Sequence, residues 1–259
     1  MSILVKGNGR VVFGPKPTII TDGLIFNLDA ASPISYPKSG NTWFDISGNN
    51  NGTLVNTPTF DSSDGGSILF DGISDRVEIS PIGSTITGLT YGTISMWFKI
   101  PSTGAPSTNG ALFTVYEGTS ARYGLIIGEA TNNQPNESLM SLFINGSIEY
   151  ASTVQKGHTY YFDDTWHNIV FTVDSGPTPN TKIYIDGIIQ ILSYPFGSNS
   201  GVGFTNLSPT IITLGSGYYA GVYNRPFVGN IANASIYNRA ITSEEQLFNY
   251  NTLKGRFGL

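Results

Sequence analysis

Apolar and polar residues alternate along most of this chain, in short runs separated by turns. The clearest run is GTISMWFKI at 92–100, where Ile94, Met96 and Phe98 occupy every second position. Successive side chains of a β-strand point to opposite sides, so this spacing places the three apolar residues on one face. The same alternation predicts strands at 23–30, 67–72, 75–80, 92–100, 111–116, 123–129, 138–146, 166–174, 181–190, 210–216 and 229–239.

These strands follow one another with no long helical pattern between them. Parallel strands need long crossover connections, usually helical, so the sequence predicts an all-β antiparallel sandwich or barrel. Asn145-Gly146 and Asp186-Gly187 supply the residues that a tight type I′ hairpin turn requires.

One segment near the end has helical spacing instead. In ITSEEQLFNYN at 241–251, Thr242 is followed three residues later by Glu245, which is the pattern of a capping box. We therefore predict one short helix over 243–250, lying across a sheet edge.

Composition and charge narrow the classes of function. The chain has 259 residues, 31 glycines and no cysteine, and its net charge is −5. The absence of cysteine excludes a disulfide scaffold and thiol catalysis. The acidic balance gives no support to nucleic-acid binding. No apolar run approaches a membrane-spanning helix, so no membrane insertion is expected.

The chain divides into an arm at 1–21, one domain at 22–250 and a basic tail at 251–259. The arm has two β-prone stretches, Ile3–Val5 and Val11–Phe13, around a Lys-Gly-Asn-Gly-Arg turn. A two-stranded hairpin of this length is marginal alone. We expect the arm, helped by the tail, to anchor the protein in a larger assembly; the alternative is that the arm packs on its own domain.

His167, in DDTWHNIVFTVD at 163–174, is one of two histidines and follows a pair of aspartates. Alternation places His167 on the same face as Ile169 and Phe171, so we predict a structural histidine at the sheet rim, hydrogen-bonded to a loop carbonyl. Asp163 and Asp164 are adjacent and point to opposite sides of an extended chain. They are expected to shape the turn before the strand.

Six segments occur in an order that resembles the concanavalin A-like, laminin G-like jelly-roll domain. They are GLIFNLDA, LFDGISDRVEI, GTISMWFKI, DTWHNIVFTVD, KIYIDG and GNIANASIYNRAITSEE, and together they span roughly 22–250. The resemblance implies two curved antiparallel sheets packed face to face as a jelly-roll β-sandwich. Members of this family include lectins, carbohydrate-binding modules, adhesive domains and glycosidases, so the fold does not name the function.

The ending FNYNTLKGRFGL and the lack of a signal-peptide pattern resemble laminin G-like structural proteins of tailed bacteriophages. That resemblance implies a protein made in the host cytoplasm and displayed on a virion. Its partners would be other virion proteins, further copies bound through the arm, and cell-surface glycans. The alternative is a free carbohydrate-binding lectin, and a third hypothesis is a glycoside hydrolase.

The sequence contains no catalytic constellation. The glucanase relatives carry E-x-D-x-E on one strand, and no E-x-D occurs anywhere in this chain. There is also no G-x-S-x-G, and neither His158 nor His167 has a partner visible in the sequence. We therefore expect a protein that is not an enzyme.

Two aspartates are the candidate metal ligands. Laminin G-like domains often hold Ca²⁺ with aspartate side chains, and Asp71 and Asp75 lie four residues apart across a glycine turn. The alternative is an ordinary hairpin turn that favours aspartate. No cofactor is expected to be required.

The loop GSGYYAGVYNRPF at 215–227 is the candidate ligand-binding site, through Tyr218, Tyr219, Tyr223, Asn224 and Arg225. Sugars stack on aromatic rings while amides and arginine bind hydroxyls, and protein interfaces use the same residue types. A third interpretation is that the tyrosines cover the sheet.

Overall fold

The structure is a computed structural model. It describes residues 3–5, 11–13, 18–79, 86–89, 91–102, 110–117, 120–128, 139–144, 152–153, 161–174, 181–193, 210–219 and 222–259. Within these residues it is an antiparallel two-sheet sandwich with one α-helix.

The larger sheet has eight strands, all paired antiparallel. In spatial order they are β16 (Ile188–Ile189), β15 (Lys182–Ile185), β14 (Trp166–Asp174), β9 (Tyr91–Lys99), β21 (Val228–Tyr237), β7 (Ser67–Asp71) and β6 (Thr59–Asp61), with β3 (Leu24–Asp29) also on β21. One edge of β21 is shared, because its first half pairs with β7 and its second half with β3.

The smaller sheet has seven strands. In spatial order they are β12 (Leu139–Ile144), β11 (Ser120–Gly128), β10 (Gly110–Glu117), β18 (Ile211–Leu214), β8 (Arg76–Ile79), β5 (Gly52–Val55) and β4 (Thr42–Trp43). Three further two-stranded sheets pair β1 (Ile3–Val5) with β2 (Val11–Phe13), β13 (Ser152–Thr153) with β17 (Leu192–Ser193), and β19 (Gly217–Tyr219) with β20 (Val222–Asn224).

The core lies between the two sheets. Its buried residues include Ile94, Met96, Phe98, Ile169 and Phe171 from the larger sheet, as the alternation predicts. The smaller sheet contributes Val77, Ile79, Leu112, Val115, Ile212 and Leu214 to the same cluster. The sandwich predicted from the sequence is therefore confirmed.

The predicted strands are found within a few residues of their expected ends. The strands that the sequence did not predict are short, such as Thr42–Trp43 and Val222–Asn224. Two or three residues are too few to show an alternation, and pairing within the fold decides their conformation. At the predicted turn, Asp186 and Gly187 both have positive φ, whereas Asn145-Gly146 lies outside the described residues.

The helix, α1, spans Ser243–Leu253 and starts with the predicted capping box between Thr242 and Glu245. As predicted, it reaches a sheet edge, because Gln246 Nε2 donates to the Gly187 carbonyl at the turn before the edge strand β16. Tyr250 stacks on Trp97 of β9 with ring centroids 5.5 Å apart, and β9 is a central strand. The helix therefore extends from that edge over the outer face of the larger sheet.

The C-terminal segment continues this cover. A 3-10 helix, Lys254–Phe257, places the Phe257 ring 4.3 Å from that of Trp97 and 4.6 Å from that of Trp166. Arg256 donates to Asp29 Oδ1 at 2.7 Å. We expected a basic tail that helps to anchor an assembly, but these residues are folded onto the domain.

The arm forms the hairpin that its sequence suggests, with Ile3 opposite Phe13 and Val5 opposite Val11. In the described part of the chain, neither arm strand pairs with any other strand. None of the described helices has the length and apolar character that a membrane crossing needs.

Candidate ligand-binding site

The predicted ligand-binding loop is an ordered hairpin, β19–β20, anchored at its base. The carbonyl of Ser216 accepts hydrogen bonds from the hydroxyls of Thr114 and Thr213, which project from the outer side of the smaller sheet. Gly215 has positive φ, and an added Cβ would come within 2.4 Å of the Phe70 ring. The hairpin is thus fixed where only glycine fits.

Two of the predicted tyrosines face each other across this hairpin. Tyr218 pairs with Tyr223, and their ring centroids are 4.8 Å apart. Tyr218 also contacts the buried ring of Tyr116 edge-on at 5.2 Å, and its backbone amide donates to the Tyr116 hydroxyl. The two rings are therefore held in fixed positions and remain half-buried.

Arg76 and Glu78 of β8 complete this arrangement. The Arg76 guanidinium lies 3.7 Å from the Tyr223 ring centroid, and Tyr223 donates its hydroxyl proton to Glu78 Oε1 at 2.7 Å. Burial and Glu78 raise the pKa of Tyr223 to about 12, so its phenol stays protonated. We call Arg76, Glu78, Tyr218 and Tyr223 the tyrosine platform.

The sequence did not assign Arg76 and Glu78 to the site. The alternation in DRVEI does place both on the face opposite Val77 and Ile79. What it cannot show is that β8 lies beside β18, which brings Glu78 to a tyrosine 145 positions further along.

The other predicted ligand residues flank the platform. Arg225 follows β20, is exposed, and has a φ of 51°. Such a backbone conformation is uncommon for a residue other than glycine. Asn224 packs against its own hairpin, since its Oδ1 lies 2.7 Å from where a Cβ of Gly217 would be. Tyr219 pairs with Val222 through its backbone, and its side chain lies outside the described residues.

The platform presents two aromatic rings and a hydrogen-bonded carboxylate, that of Glu78. Fixed rings with a nearby exposed guanidinium suit a ligand that has an apolar face and polar edges. Because the rings are braced before any ligand arrives, little side-chain entropy would be lost on binding.

His167 is buried between two carboxylates. Its Nδ1 lies 2.8 Å from Asp186 Oδ2, and its Nε2 lies 3.3 Å from Asp163 Oδ1 and 3.2 Å from Thr165 Oγ1. Two aspartates and the Thr165 hydroxyl are therefore described partners of His167, and the predicted hydrogen bond to a loop carbonyl stays a prediction. Sequence reasoning missed Asp186, since it comes from the next hairpin turn.

The carboxylates set the charge of this histidine. Burial alone would lower the pKa of His167, but the hydrogen bonds and charges of Asp186 and Asp163 raise it overall. His167 is only 5% exposed, and the Thr165 hydroxyl also lies 2.8 Å from both oxygens of Asp163. The cluster joins the turn before β14 to the turn between β15 and β16.

Asp71 and Asp75 close their own turn. Asp71 Oδ1 accepts hydrogen bonds from the backbone amides of Ile73, Ser74 and Asp75 at 2.8–3.1 Å, and Asp75 Oδ2 accepts one from Asp71. Asp75 Oδ1 is buried without a partner, and burial together with the charge of Asp71 raises the pKa of Asp75.

This geometry fits the turn-forming interpretation. Calcium takes six to eight oxygen ligands, whereas these carboxylates leave two oxygens that do not bind the turn. Among the described residues, no three His, Cys, Asp or Glu side chains are grouped to hold a metal. The calcium role of Asp71 and Asp75 stays a prediction.

Comparison with known proteins gives the family. The sequence profile of the concanavalin A-like lectin/glucanases superfamily matches residues 70–245. The chain belongs to this superfamily. A search of curated protein sequences finds no match.

Solved structures share the superfamily fold with this chain at low sequence identity. The receptor-binding domain of botulinum neurotoxin C/D mosaic serotype gives a TM-score of 0.63 at 13% identity over 90% of this chain, which spans 52% of that protein. Domain 4 of AbnA, an extracellular arabinanase from Geobacillus stearothermophilus, in complex with arabinotriose, gives a TM-score of 0.59 at 18% identity. The match covers 88% of this chain and 97% of that domain. A Trypanosoma rangeli sialidase in complex with sialic acid gives a TM-score of 0.57 at 14% identity, and the match covers 99% of this chain and 36% of the sialidase.

At these identities the comparisons establish the superfamily fold alone. This chain spans about half the length of the toxin domain and about a third of the sialidase. The lectin-like fold supports a binding role in general. The ligand has to be inferred from the residues of this chain.

Proposed function

We propose that this protein is a non-enzymatic adhesion protein that binds cell-surface glycans through its tyrosine platform. The observation that carries the proposal is a pair of tyrosine rings fixed 4.8 Å apart beside an exposed arginine. Sugar rings present C–H faces that pack on aromatic rings, and Arg225 can donate to hydroxyl or carboxylate oxygens.

The bracing of the platform supports a ligand-binding role beyond covering the sheet. Tyr223 is held from two sides, by Arg76 over its ring and by Glu78 at its hydroxyl. Tyr218 packs between Tyr223 and Tyr116, and its exposed surface is available to a ligand because the ring is only half-buried. Tyr218 is therefore the ring that we assign to the ligand.

A glycan array tests this assignment. We expect the wild-type protein to bind a defined group of glycans, and Tyr218→Ala to lose that group. Val222→Ala is the matched control, because Val222 is exposed on the same hairpin and is not part of the platform. If Tyr218→Ala and the wild type gave the same pattern, the platform would not be the binding site.

Calcium independence belongs to the same proposal. The Asp71 and Asp75 carboxylates bind their own turn, so EDTA should leave the array pattern unchanged. Loss of binding in EDTA, restored by added Ca²⁺, would favour a calcium-dependent lectin instead.

We propose no hydrolytic activity. In support, the described titratable cluster around His167 is buried, and the platform carries one carboxylate, Glu78, already bound by Arg76 and Tyr223. Glycosidases of most families need two carboxylates facing one cleft. Reducing-sugar release from a bound glycan, abolished by replacing a single Asp or Glu, would contradict this.

We further propose that the protein is displayed on a phage virion, where the arm holds it in the assembly and the platform contacts host glycans. The resemblance of the C-terminal ending to phage structural proteins supports this location, and the separate β1–β2 hairpin supports the role of the arm. Mass spectrometry of purified particles should detect peptides from this chain. Particles that lack the protein would contradict the proposed location.

A further inference from the structure

The larger sheet ends in an exposed apolar strand. β16 is its outermost strand, and Ile188 and Ile189 are 62% and 56% exposed, while Ile191 just beyond is 80% exposed. Within the described residues, no strand pairs with the outer side of β16. An edge of this kind presents unpaired backbone groups to which another strand can add.

Both faces of the sheet end in isoleucine at this edge. Ile188 sits opposite Ile185, a core residue, and Ile189 sits opposite Tyr184, which packs on the outer face. Native edges are commonly protected by lysine, proline or a bulge. The segment from Gly187 to Ser193 has no charged residue and no proline.

The apolar surface continues from the strand onto α1. Leu247 and Phe248 are 44% and 45% exposed. Leu247 Cδ1 lies 3.3 Å from the position that a Cβ on Gly187 would take, so it adjoins the turn that leads into β16. We call Ile188, Ile189, Ile191, Leu247 and Phe248 the isoleucine edge.

The arm offers two short apolar strands that suit this edge. All six residues of β1 and β2 are apolar, and the two strands pair with each other. A hairpin of three-residue strands is not stable alone in water. It gains stability by adding to a sheet that offers a free edge and apolar side chains on both faces.

Charge favours the same pairing. Residues 1–17 carry Lys6, Arg10 and Lys16 and no acidic residue, which gives +3, so the rest of the chain carries −5 − 3 = −8. The isoleucine edge starts directly after an acidic region, since Asp186 immediately precedes Gly187 and Ile188. Asp163, beside Asp164 in the chain, contacts the same histidine as Asp186.

We propose that the arm hairpin of one copy adds to the isoleucine edge of a second copy, so that the protein self-associates through arm-to-edge contacts. This rests on the proposed role of the arm in assembly and names the surface that receives it. The strands are similarly short, with three residues in each arm strand and two in β16. The basic turn residues of the arm would then lie near the aspartates at the start of the edge.

A disulfide cross-link tests the contact directly, because the natural chain has no cysteine. Full-length Val12→Cys protein is mixed with affinity-tagged Ile189→Cys protein under mild oxidation. We expect a disulfide-linked species containing one chain of each kind, at twice the 27.8 kDa chain mass. Ile73→Cys replaces Ile189→Cys in the control, since Ile73 is also exposed, at 78%, but lies in the Asp71 turn.

The mass in solution gives the second readout. By light scattering we expect the wild type to exceed the monomer mass, and Ile189→Lys to return it to the monomer, because an edge lysine blocks strand addition. A cross-link no stronger than in the Ile73→Cys control, or an unchanged mass in Ile189→Lys, would overturn the proposal. So would a monomeric protein in which Val12→Cys and Ile189→Cys on one chain join within that chain.

Glycan binding by these variants is measured in parallel. Ile189 is not part of the tyrosine platform, so the array pattern of Ile189→Lys should match that of the wild type. A failed cross-link with intact glycan binding would reject the arm-to-edge contact and leave the binding function standing. An array without any bound glycan, together with a positive cross-link, would reject the binding function and leave the arm-to-edge contact standing.

Discussion

Phe171 shows how strongly a single residue of the core is constrained. Its ring is fully buried between the sheets, on the face that the alternation of β14 predicts. Replacing a buried phenylalanine by alanine removes apolar contacts and leaves a cavity, so Phe171→Ala should destabilise the protein by about 3–5 kcal/mol. Urea titration measures the loss. Ile34→Ala, at a residue 75% exposed, is the control and should stay within about 0.5 kcal/mol of the wild type.

His167 makes stability depend on pH. Asp186 and Asp163 raise its pKa in the folded protein above the value of about 6.5 expected in the unfolded chain. The protonated imidazole thus stabilises the folded state fully below that unfolded pKa, and the stabilisation is lost as pH rises through the folded pKa. We expect the free energy of unfolding of the wild type, relative to His167→Gln, to be larger at pH 5.5 than at pH 8.5. A difference that stays constant or grows with pH would contradict the assigned contacts.

For single residues, the sequence predicted correctly which face of a strand a side chain occupies, but it predicted only some of the polar partners. Alternation places His167 beside Ile169 without any register information. Its partner Asp186 depends on how β14 pairs with β15, and Glu78 meets Tyr223 only through the order of strands in the smaller sheet. Such contacts are set by register and topology, which one strand's pattern does not contain.

Among the elements, the C-terminal 3-10 helix makes an unexpected contribution. Phe257 covers Trp97 and Trp166, two of the three tryptophans of the chain, and the third, Trp43, is buried elsewhere in the core. Phe257→Ala should destabilise the protein by about 3 kcal/mol and shift the tryptophan fluorescence to longer wavelength, as both indoles gain contact with water. Leu259→Ala, at an exposed residue two positions later, should change neither property. Unchanged fluorescence in Phe257→Ala would show that the segment does not cover the tryptophans.

The elements differ in how well their sequence specified them. Long strands such as Trp166–Asp174 were predicted because nine residues suffice to show alternation, and α1 because Thr242 and Glu245 mark its start. Its extension over the sheet face was not predicted, because its buried side is partly polar. Gln246 and Asn249 are both buried there, and Asn249 bonds to Ile20 and Tyr237. An apolar stripe is the usual indication of a docking face, and this helix lacks one.

For the whole molecule, the sequence predicts the fold more completely than the function. The sandwich follows from many independent alternations, and the match over residues 70–245 agrees with it. The proposed binding instead depends on a few side chains gathered from β8, β19 and β20. The arm-to-edge contact would make glycan binding multivalent. Several platforms on one assembly would engage a glycan surface together, which raises the apparent affinity without new contacts.

The central claim is that Tyr218 on the braced platform contacts the ligand. Calorimetric titration of the glycan that binds best on the array tests it most directly, with the wild type, Tyr218→Ala and Val222→Ala compared at one salt concentration. Loss of one stacked ring corresponds to about 1 kcal/mol or more, so we expect Tyr218→Ala to weaken binding by about fivefold or more. Val222→Ala should stay within about twofold of the wild type. Equal dissociation constants for the wild type and Tyr218→Ala, or a larger loss in Val222→Ala, would contradict the account.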